Sequence, residues 1–453
     1  MKTARALRLP ALLLLLLPPW LSLAQTSTVT STVTSPVTSG SAPVSTPVFA
    51  DVPQETLALD TPAFALFDPK FYDNQLFLLG EAHGVQRPQA LALLQHLNQR
   101  AGVRTYVTEV DCAKAYYLNE YLRTGHEATL SLVFRSWQQE NSQWANRDLR
   151  AKFQQIRAWN LTLLQRRKVR FLGLDQLQDL PLAADYLNAL VHNKKLPLAL
   201  RAQLDSVATR LRLPARPAVL AGVAQRAAQE LTRQAATCGP RLGRAYDALL
   251  LLLTNASYSR AGMLEREQHI FDNFRALYRT QRLEGEKLYG LWGLAHVLQS
   301  PLQSGATLFA GLVRQSDLPL RNKVASVLCV FADCRMLLPT AFLPPVLQAQ
   351  GQPFTVTDRF NHNGPLTVLD GMAELMQRTA PGSATLFKLD APAAATTRQP
   401  IRVRYAPGIP PGQQIQFAPQ LPASAYVQYL LLVRDSGPVQ PLAPTAAVTA
   451  AGK

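Results

Sequence analysis

The sequence predicts an α/β fold in which a mainly parallel central sheet is flanked by helices and carries a helical insertion. Short apolar runs typical of buried strands alternate with stretches of helical periodicity over the first 300 residues. This alternation favours a parallel sheet, because parallel strands are joined by crossover helices. Most of the runs end on acidic or histidine side chains, and residues 180 to about 280 have helical periodicity almost throughout. We expect that helical stretch to form an arm or lid over one edge of the sheet.

The first 24 residues predict a secretory signal peptide. Lys2, Arg5 and Arg8 precede the apolar run ALLLLLLPPWLSLA, which ends at small residues suited to cleavage. The run is shorter than the ~20 residues of a membrane-spanning helix, so an uncleaved anchor is the weaker alternative. We therefore expect an exported protein, periplasmic or secreted, with no transmembrane helix after cleavage. Residues 25–48 consist mainly of Ser, Thr, Val and Pro, which predicts a disordered linker.

Composition and charge exclude some partners. The chain is 47% hydrophobic, which is enough for a sizeable core, and its net charge is +16. Eight arginines between residues 201 and 244 contribute to this charge. They could face an acidic envelope surface or an anionic ligand, or they could form a solvated helical surface. No interleaved aromatic residues or recognition motif accompany them, so we expect no nucleic-acid partner.

The first strand-like run, LFLLGEAHG at residues 76–84, places polar chemistry where the strand ends. Glu81 and His83 lie between glycines, whose backbone freedom allows the chain to turn there. A carboxylate and an imidazole two residues apart can point into one cleft at the carboxyl edge of a sheet. The alternative is that the acid only caps a helix.

The same arrangement repeats along the chain. TYVTEVD, at residues 105–111, ends on Glu109 and Asp111, VRFLGLD ends on Asp175, and KLYGLWGLAHVLQ carries His296. Because parallel strands bring their carboxyl ends to one edge of a sheet, we expect these side chains to share a pocket.

Two imidazoles and several carboxylates in one pocket could activate water. A histidine of near-neutral pKa would remove the proton, and a carboxylate would orient it, which makes Glu81, His83, Glu109 and His296 the candidate catalytic residues. The reaction then needs no cofactor. The same four residues could instead hold a divalent metal and form a metal-bound hydroxide. The third alternative is that these strand ends are only caps and turns.

Further candidates contact substrate rather than perform chemistry. Arg266 and Asn273 lie one helical face apart in SRAGMLEREQHIFDNF, and we predict that both bind substrate, together with Asp111 and Asp175. A surface salt bridge is the alternative for Arg266. The sequence contains no G-x-S-x-G nucleophile elbow, Walker loop, H-E-x-x-H or G-x-G-x-x-G pattern, so serine-nucleophile hydrolysis is not supported.

Four of these segments together resemble the erythromycin esterase-like family. They are GEAHG after the first strand, the glutamate of TYVTEVD, the R-E-x-x-I-x-x-N pattern that begins at Arg266, and the histidine that ends KLYGLWGLAH. The resemblance covers about residues 70–300. It extends to a broader group with the TraB, Tiki and ChaN-like proteins, which is marked by a G-E-x-H type motif and a later G-x-x-H.

The resemblance implies a hydrolase that cleaves an ester, lactone or amide with activated water, as the family does with a macrolide lactone. It assigns Glu81 and His83 to the first acid–histidine pair, Glu109 to the second-strand carboxylate, Arg266 to the helical arginine, and His296 to the candidate general base. The G-x-x-H ending is closer to the Tiki-type branch, where metal-dependent peptide hydrolysis is known, and ChaN-like relatives bind haem. A metal- or haem-binding envelope protein, catalytic on peptides or not catalytic, is therefore the alternative function.

The last third of the chain contains further strand-like runs that we expect to complete the same domain, residues 49–437. Cys329 and Cys334 are the most plausible disulfide pair, because export permits oxidation and they are close in sequence. His362 lies in a predicted loop and is a weaker site candidate. Residues 438–453 predict a disordered tail.

Overall fold

The computed structural model describes residues 48–58, 62–86, 89–214, 216–258, 262–411 and 414–443. The predicted signal peptide and all but the last residue of the predicted linker lie outside the described residues. Among the helices of the described residues, none is sufficiently long and apolar to cross a membrane.

The described residues form an α/β structure. Its strands are β1 (Gln54–Leu57), β2 (Leu76–Glu81), β3 (Thr105–Asp111), β4 (Arg170–Asp175), β5 (Leu288–Gly293), β6 (Val324–Ala332), β7 (Met336–Pro339), β8 (Phe354–Thr357), β9 (Phe360–Asn361), β10 (Gly364–Pro365), β11 (Thr367–Leu369), β12 (Ala384–Lys388), β13 (Val403–Tyr405) and β14 (Tyr429–Arg434). Its helices are α1 (Pro69–Tyr72), α2 (Gln89–Ala101), α3 (Cys112–Thr124), α4 (Glu127–Gln139), α5 (Arg147–Thr162), α6 (Leu180–Val191), α7 (Leu198–Arg212), α8 (Pro217–Arg233), α9 (Ala235–Leu242), α10 (Ala245–Ser257), α11 (Met263–Thr280), α12 (Phe309–Gln315) and α13 (Met372–Gln377).

Eight of the strands form one sheet in the order β1-β12-β14-β6-β2-β5-β3-β4. The pairs from β14 to β4 are parallel, and β12 pairs antiparallel with both β1 and β14. The mainly parallel sheet predicted from the sequence is therefore confirmed. Strand β5 lies between β2 and β3, so the carboxyl ends of β2, β5, β3 and β4 are neighbours although they come from distant parts of the chain.

Apolar residues cover both faces of the sheet. On β2, Phe77 and Leu79 join a core that contains α2 to α5, whereas Leu76 and Leu78 join the opposite core with α11 and α12. This alternation follows from the two-residue period of a strand. It also explains why β2 contains no polar residue before Glu81, because both of its faces are buried.

The stretch predicted as a helical insertion, about residues 180–280, contains α6 to α11. Helices α6 to α10 form a third apolar core, in which Leu200, Leu204 and Val207 of α7 are fully buried. The core also includes Cys112 and Ala113 at the start of α3. The insertion is therefore attached to the sheet through the helix that follows β3.

The glycines around Glu81 and His83 have a different role from the predicted turn. Neither Gly80 nor Gly84 has a positive φ. A side chain at Gly80 would lie 2.6 Å from Val297 Cγ2, and one at Gly84 would lie 2.3 Å from the carbonyl oxygen of Leu337. These positions require glycine because other parts of the chain pack against the backbone there.

Three expectations for the last third of the chain need correction. The Cys329–Cys334 disulfide is not formed, since Cys334 is a buried free thiol 3.4 Å from the carbonyl oxygens of Ala332 and Val433. The Nδ1 of His362 accepts a hydrogen bond from Phe331 N, and burial lowers the pKa of His362 to about 4, so it is a neutral group that serves β6. The predicted tail is ordered at its start, because residues 438–443 pack against the domain.

Candidate active site

His83 lies just beyond β2 and is oriented from both sides. Its Nδ1 is 2.7 Å from Glu81 Oε1, and its Nε2 is 3.3 Å from Glu109 Oε2. The indole of Trp144 packs beside it, with ring centroids 4.6 Å apart. The His83 side chain is 11% exposed, and it lines a cleft. Two strand ends thus hold one imidazole at the protein surface.

The Glu109 carboxylate joins the two halves of the site. Besides His83, it accepts hydrogen bonds from Gly293 N at 2.9 Å and from Arg266 Nη2 at 2.9 Å, and its Oε1 is 3.3 Å from His296 Nε2. A side chain at Gly293 would lie 3.6 Å from both Glu109 Oε2 and His83 Nε2. These are ordinary van der Waals distances, so the carboxylate reaches the backbone of β5 without depending on the missing side chain of Gly293.

His296 is buried behind Glu109. It sits in a 3₁₀ turn (Leu294–Val297) that follows β5, and its side chain is 0% exposed. Its Nδ1 is 2.8 Å from Glu267 Oε1, while Glu267 Oε2 accepts a hydrogen bond from Phe309 N at 2.8 Å. His296 is thus held between two carboxylates, one on β3 and one on α11.

Arg266 binds the strand ends together from α11. Its Nε and Nη2 donate to the two oxygens of Asp175 at 3.0 and 2.7 Å, and Nη2 also donates to Glu109. A planar guanidinium suits this paired geometry. The surface salt bridge considered as an alternative is excluded, because Arg266 is 7% exposed.

A further polar network holds Asp175. Gln178 Nε2 donates to Asp175 Oδ2 at 2.9 Å, and the fully buried Lys114 donates to Gln178 Oε1 at 2.9 Å. Asp111 accepts from Lys114 N at 2.8 Å and from Gln178 N at 2.9 Å, and so caps α3. The prediction that Asp111 binds substrate is therefore corrected: both of its oxygens serve the backbone.

Asn273 also differs from the prediction that it binds substrate. Its Nδ2 donates to the carbonyl oxygen of Leu174 at 2.8 Å and to Asn255 Oδ1 at 3.0 Å, and its Oδ1 accepts from Asn255 at 2.9 Å. The residue is 2% exposed. It fastens α11 and α10 to β4, and thereby positions Arg266 two helical turns earlier.

Neighbouring carboxylates raise the pKa of both histidines of the site. Burial lowers the pKa of His296, but Glu267 and Glu109 outweigh that effect and raise it to about 9. Burial likewise lowers the pKa of His83, and its hydrogen bonds to Glu109 and Glu81 raise it by more. Burial raises the pKa of Glu109, but both imidazoles oppose this and hold it well below its usual range.

These charges correct the role expected for His296. An imidazole with a pKa of about 9 is protonated at neutral pH, and this one has no contact with solvent. It therefore cannot receive a proton from water in the cleft. His296 therefore lies where it can stabilise the ionised form of Glu109, whereas His83 lines the cleft.

The residues proposed for a metal do not fit one in this arrangement. Within the described residues, no group of three or more His, Cys, Asp or Glu side chains is arranged to hold a metal ion. Glu109 directs both oxygens to donors on Arg266, Gly293 and the histidines, and the Nδ1 of His83 is 2.7 Å from Glu81 Oε1. Because these groups bind one another, they do not present a set of ligands to a metal ion.

The cleft beside His83 has a volume of about 540 Å³. Its floor includes Glu81, His83 and the sheet residues Tyr106 and Leu291. Its walls come from α2, α5, the loops that precede these two helices, and the C-terminal segment. They mix apolar and polar side chains: Val85, Leu91, Gln95, Trp144, Asp148, Leu149, Lys152, Phe153, Gln155 and Val439. A medium-sized organic molecule with a polar reacting group fits such a lining.

Four residues of the site were not among the predicted ones. Glu267 had a signal, since it follows Arg266 in the R-E-x-x-I-x-x-N pattern, and Trp144 lies in a tryptophan-rich stretch before α5. Gln178 and Lys114 had none, because their importance comes from hydrogen bonds between separate elements. The structure does bring together Glu81, His83, Glu109, Asp175, Arg266 and His296.

Comparisons with known proteins agree with this architecture. A family model described as erythromycin esterase matches residues 99–293, a range that includes Glu109, Asp175 and Arg266 but ends before His296. No curated protein matches the chain in sequence.

Three solved structures resemble the fold. A protein from Bacillus cereus is 13% identical, with a TM-score of 0.61 over 86% of this chain and 94% of that chain. A mutant of erythromycin esterase EreC in its open conformation is 13% identical, with a TM-score of 0.59 over 87% of this chain and 100% of that one. A succinoglycan biosynthesis protein is 14% identical, with a TM-score of 0.57 over 86% of this chain and 95% of that one.

The charge on His296 predicts a pH-dependent stability. Its folded pKa of about 9 lies above the ~6.5 of an unfolded histidine, so the stabilisation is complete below ~6.5 and is lost as pH rises through 9. We expect the free energy of unfolding to fall across this window by a few kcal/mol, at ~1.4 kcal/mol per pKa unit. Urea denaturation at several pH values measures it.

Glu267→Gln is the matched variant for this measurement. It removes one of the two carboxylates that raise the pKa of His296, so its free energy of unfolding should depend less on pH over the same window. An equal dependence in both proteins would contradict a charged His296.

Proposed function

We propose that this chain is a hydrolase of the erythromycin esterase type and cleaves an ester or lactone with a water molecule activated by His83. Residues 99–293 match the erythromycin esterase family model, and the fold resembles that of an erythromycin esterase. The single observation that carries the proposal is the position of His83. It lines the cleft, is held by a carboxylate at each nitrogen, and is backed by a buried charged network. A general base requires this combination of access and orientation.

Glu81 and Glu109 contact different ring nitrogens of His83 and have different roles in the proposed mechanism. The short contact from Glu81 to Nδ1 favours the tautomer that carries its proton on that nitrogen, which leaves Nε2 to take a proton from water. The resulting hydroxide attacks the substrate carbonyl carbon, and the C–O bond to the leaving group then breaks. Glu109, 3.3 Å from Nε2, stabilises the imidazolium until its proton passes to the leaving oxygen.

The buried half of the site keeps this arrangement in place. Arg266 and His296 both contact Glu109, and they hold its carboxylate ionised and oriented towards His83. Asp175 and Glu267 fix these two cations in turn. The proposed catalytic residues are therefore Glu81, His83 and Glu109, with the others as positioning residues.

We also propose that the protein is exported and acts on a small molecule of its surroundings. The support is the basic and apolar pattern of residues 1–24, which is typical of a signal peptide. The cleft volume of about 540 Å³ favours a small-molecule substrate over a long peptide.

Loss of His83 should strongly reduce turnover. We expect His83→Gln to lower kcat/KM for an activated ester by ~100-fold or more, the usual effect of removing a general base. His126→Gln is the control, since His126 is exposed at the start of α4. Hydrolysis of p-nitrophenyl esters and of a lactone panel measures the rate, and similar rates in both variants would exclude His83 as the base.

The raised pKa of His83 should appear in the pH–rate profile. Because the base must be neutral, kcat/KM should rise with pH through a pKa above the ~6.5 of an unperturbed histidine. Glu81→Gln removes one interaction that raises this pKa, so the rising part of its pH–rate profile should move to lower pH. If this part of the profile stays at the same pH in the variant, the titrating group is not His83.

A further inference from the structure

The last described segment of the chain, residues 436–443, contributes Val439 to the lining of the cleft, and we name this segment the C-terminal strap. It follows β14 and runs beside the loop that carries His83. Val439 N donates to Gly84 O at 3.0 Å, Gln86 N donates to Gly437 O at 3.0 Å, and the Ser436 hydroxyl donates to Gln86 O at 3.0 Å. Three hydrogen bonds thus connect the strap to the loop immediately after His83.

The strap is bound equally well on its other side, to the start of α5. Gln440 N donates to Asp148 Oδ2 at 2.8 Å, and Arg147 N donates to Gln440 O at 2.7 Å. Leu442 N donates to the carbonyl oxygen of Ala145 at 2.9 Å. Asp148 also accepts from Gln86 Nε2 at 3.2 Å, so one carboxylate joins the strap, the loop and the helix.

Two cavities meet at the strap. The cleft of about 540 Å³ lies on the His83 side, and a second cavity of about 480 Å³ is lined by Leu337, Phe354, Val356 and residues 438–443. Val439 lines both of them and is 3% exposed. Its side chain therefore belongs to the partition between them.

We propose that the C-terminal strap positions His83 and that Val439 sets the largest apolar group the cleft admits. The first part follows from the hydrogen bonds to Gly84 and Gln86, which fix the loop next to the imidazole. The second part rests on the proposed function. A smaller side chain at 439 removes part of the partition, so the cleft extends into the second cavity and accepts esters with longer acyl chains.

The positioning role is tested by chemical labelling, which needs no turnover. The variant ends at Asp435, so that β14 remains complete, and it is compared with the full chain for the rate at which diethyl pyrocarbonate modifies His83. Mass spectrometry reports each histidine separately. The exposed His126 and His192 serve as references, and the fully buried His296 reports any general unfolding.

We expect His83 to react at least about tenfold faster without the strap, because each lost hydrogen bond favours loop opening about fivefold. His126, His192 and His296 should react at unchanged rates. An unchanged rate at His83 would overturn the positioning role. If His296 also becomes reactive in the truncated chain, Asp148→Ala replaces the truncation, because it removes the carboxylate that binds both Gln440 N and Gln86 Nε2 while every residue of the strap remains. An unchanged rate of His83 modification in this variant would likewise overturn the positioning role.

The size limit is tested with p-nitrophenyl esters of increasing acyl length. Val439→Ala should raise the ratio of kcat/KM for a decanoate over an acetate by about tenfold, since two buried methyl groups are removed. Val439→Phe should lower the same ratio. Phe354→Ala is the control: Phe354 lines only the second cavity, so in the presence of Val439 the ratio should not change. Equal ratios in all four proteins would overturn the size limit.

The size limit can be tested separately from the proposed function, with a readout that does not need hydrolysis. If the wild type hydrolyses no ester, the size limit is read from the protection of His83 against diethyl pyrocarbonate by hexanoate and decanoate. Decanoate should protect Val439→Ala better than the wild type. Protection without hydrolysis would remove the hydrolase proposal and keep the role of Val439, and equal protection of both proteins would remove that role.

Discussion

The rest of the site depends on the shared carboxylate of Glu109. It touches two imidazoles, a guanidinium and a backbone N–H, and it lies in an interior where an unpaired charge would cost several kcal/mol. Each partner comes from a different element, so the carboxyl ends of β2, β3 and β5 and the helix α11 must all be in register before the charges are paired. The same requirement that permits burial of these groups also orients His83.

The pairing continues away from the cleft through a chain of hydrogen bonds. Arg266 binds Asp175, Gln178 binds Asp175, and Lys114 binds Gln178. These residues lie on α11, β4, the segment after β4 and α3, so the network links the helical insertion to the sheet. Replacing any member would leave a buried charge or amide without its partner, which explains how residues far from the cleft can govern the geometry at His83.

Burial gives two chemically identical side chains opposite roles. His83 and His296 each follow a parallel strand, and each contacts Glu109. His296 is enclosed by α11 and α12 and has no solvent contact, whereas His83 faces the cleft between α2 and α5 and is the base of the proposed mechanism. The order of the strands places both histidines at the same edge of the sheet. The helices that cover this edge determine which of the two is exposed to the cleft.

The sequence by itself determined the parallel sheet and the strand ends that carry Glu81, Glu109, Asp175 and His296, because apolar periodicity and the polar residues that end it are local properties. Only the tertiary structure decided which of these groups meets solvent, that Asn273 and Asp111 serve the backbone, and that Glu267 holds His296. It also packed residues 438–443, predicted as a disordered tail, against the domain and placed Val439 in the lining of the cleft. The physical reason is that burial, pKa and hydrogen-bond partners depend on elements far apart in the chain, which a local pattern does not encode.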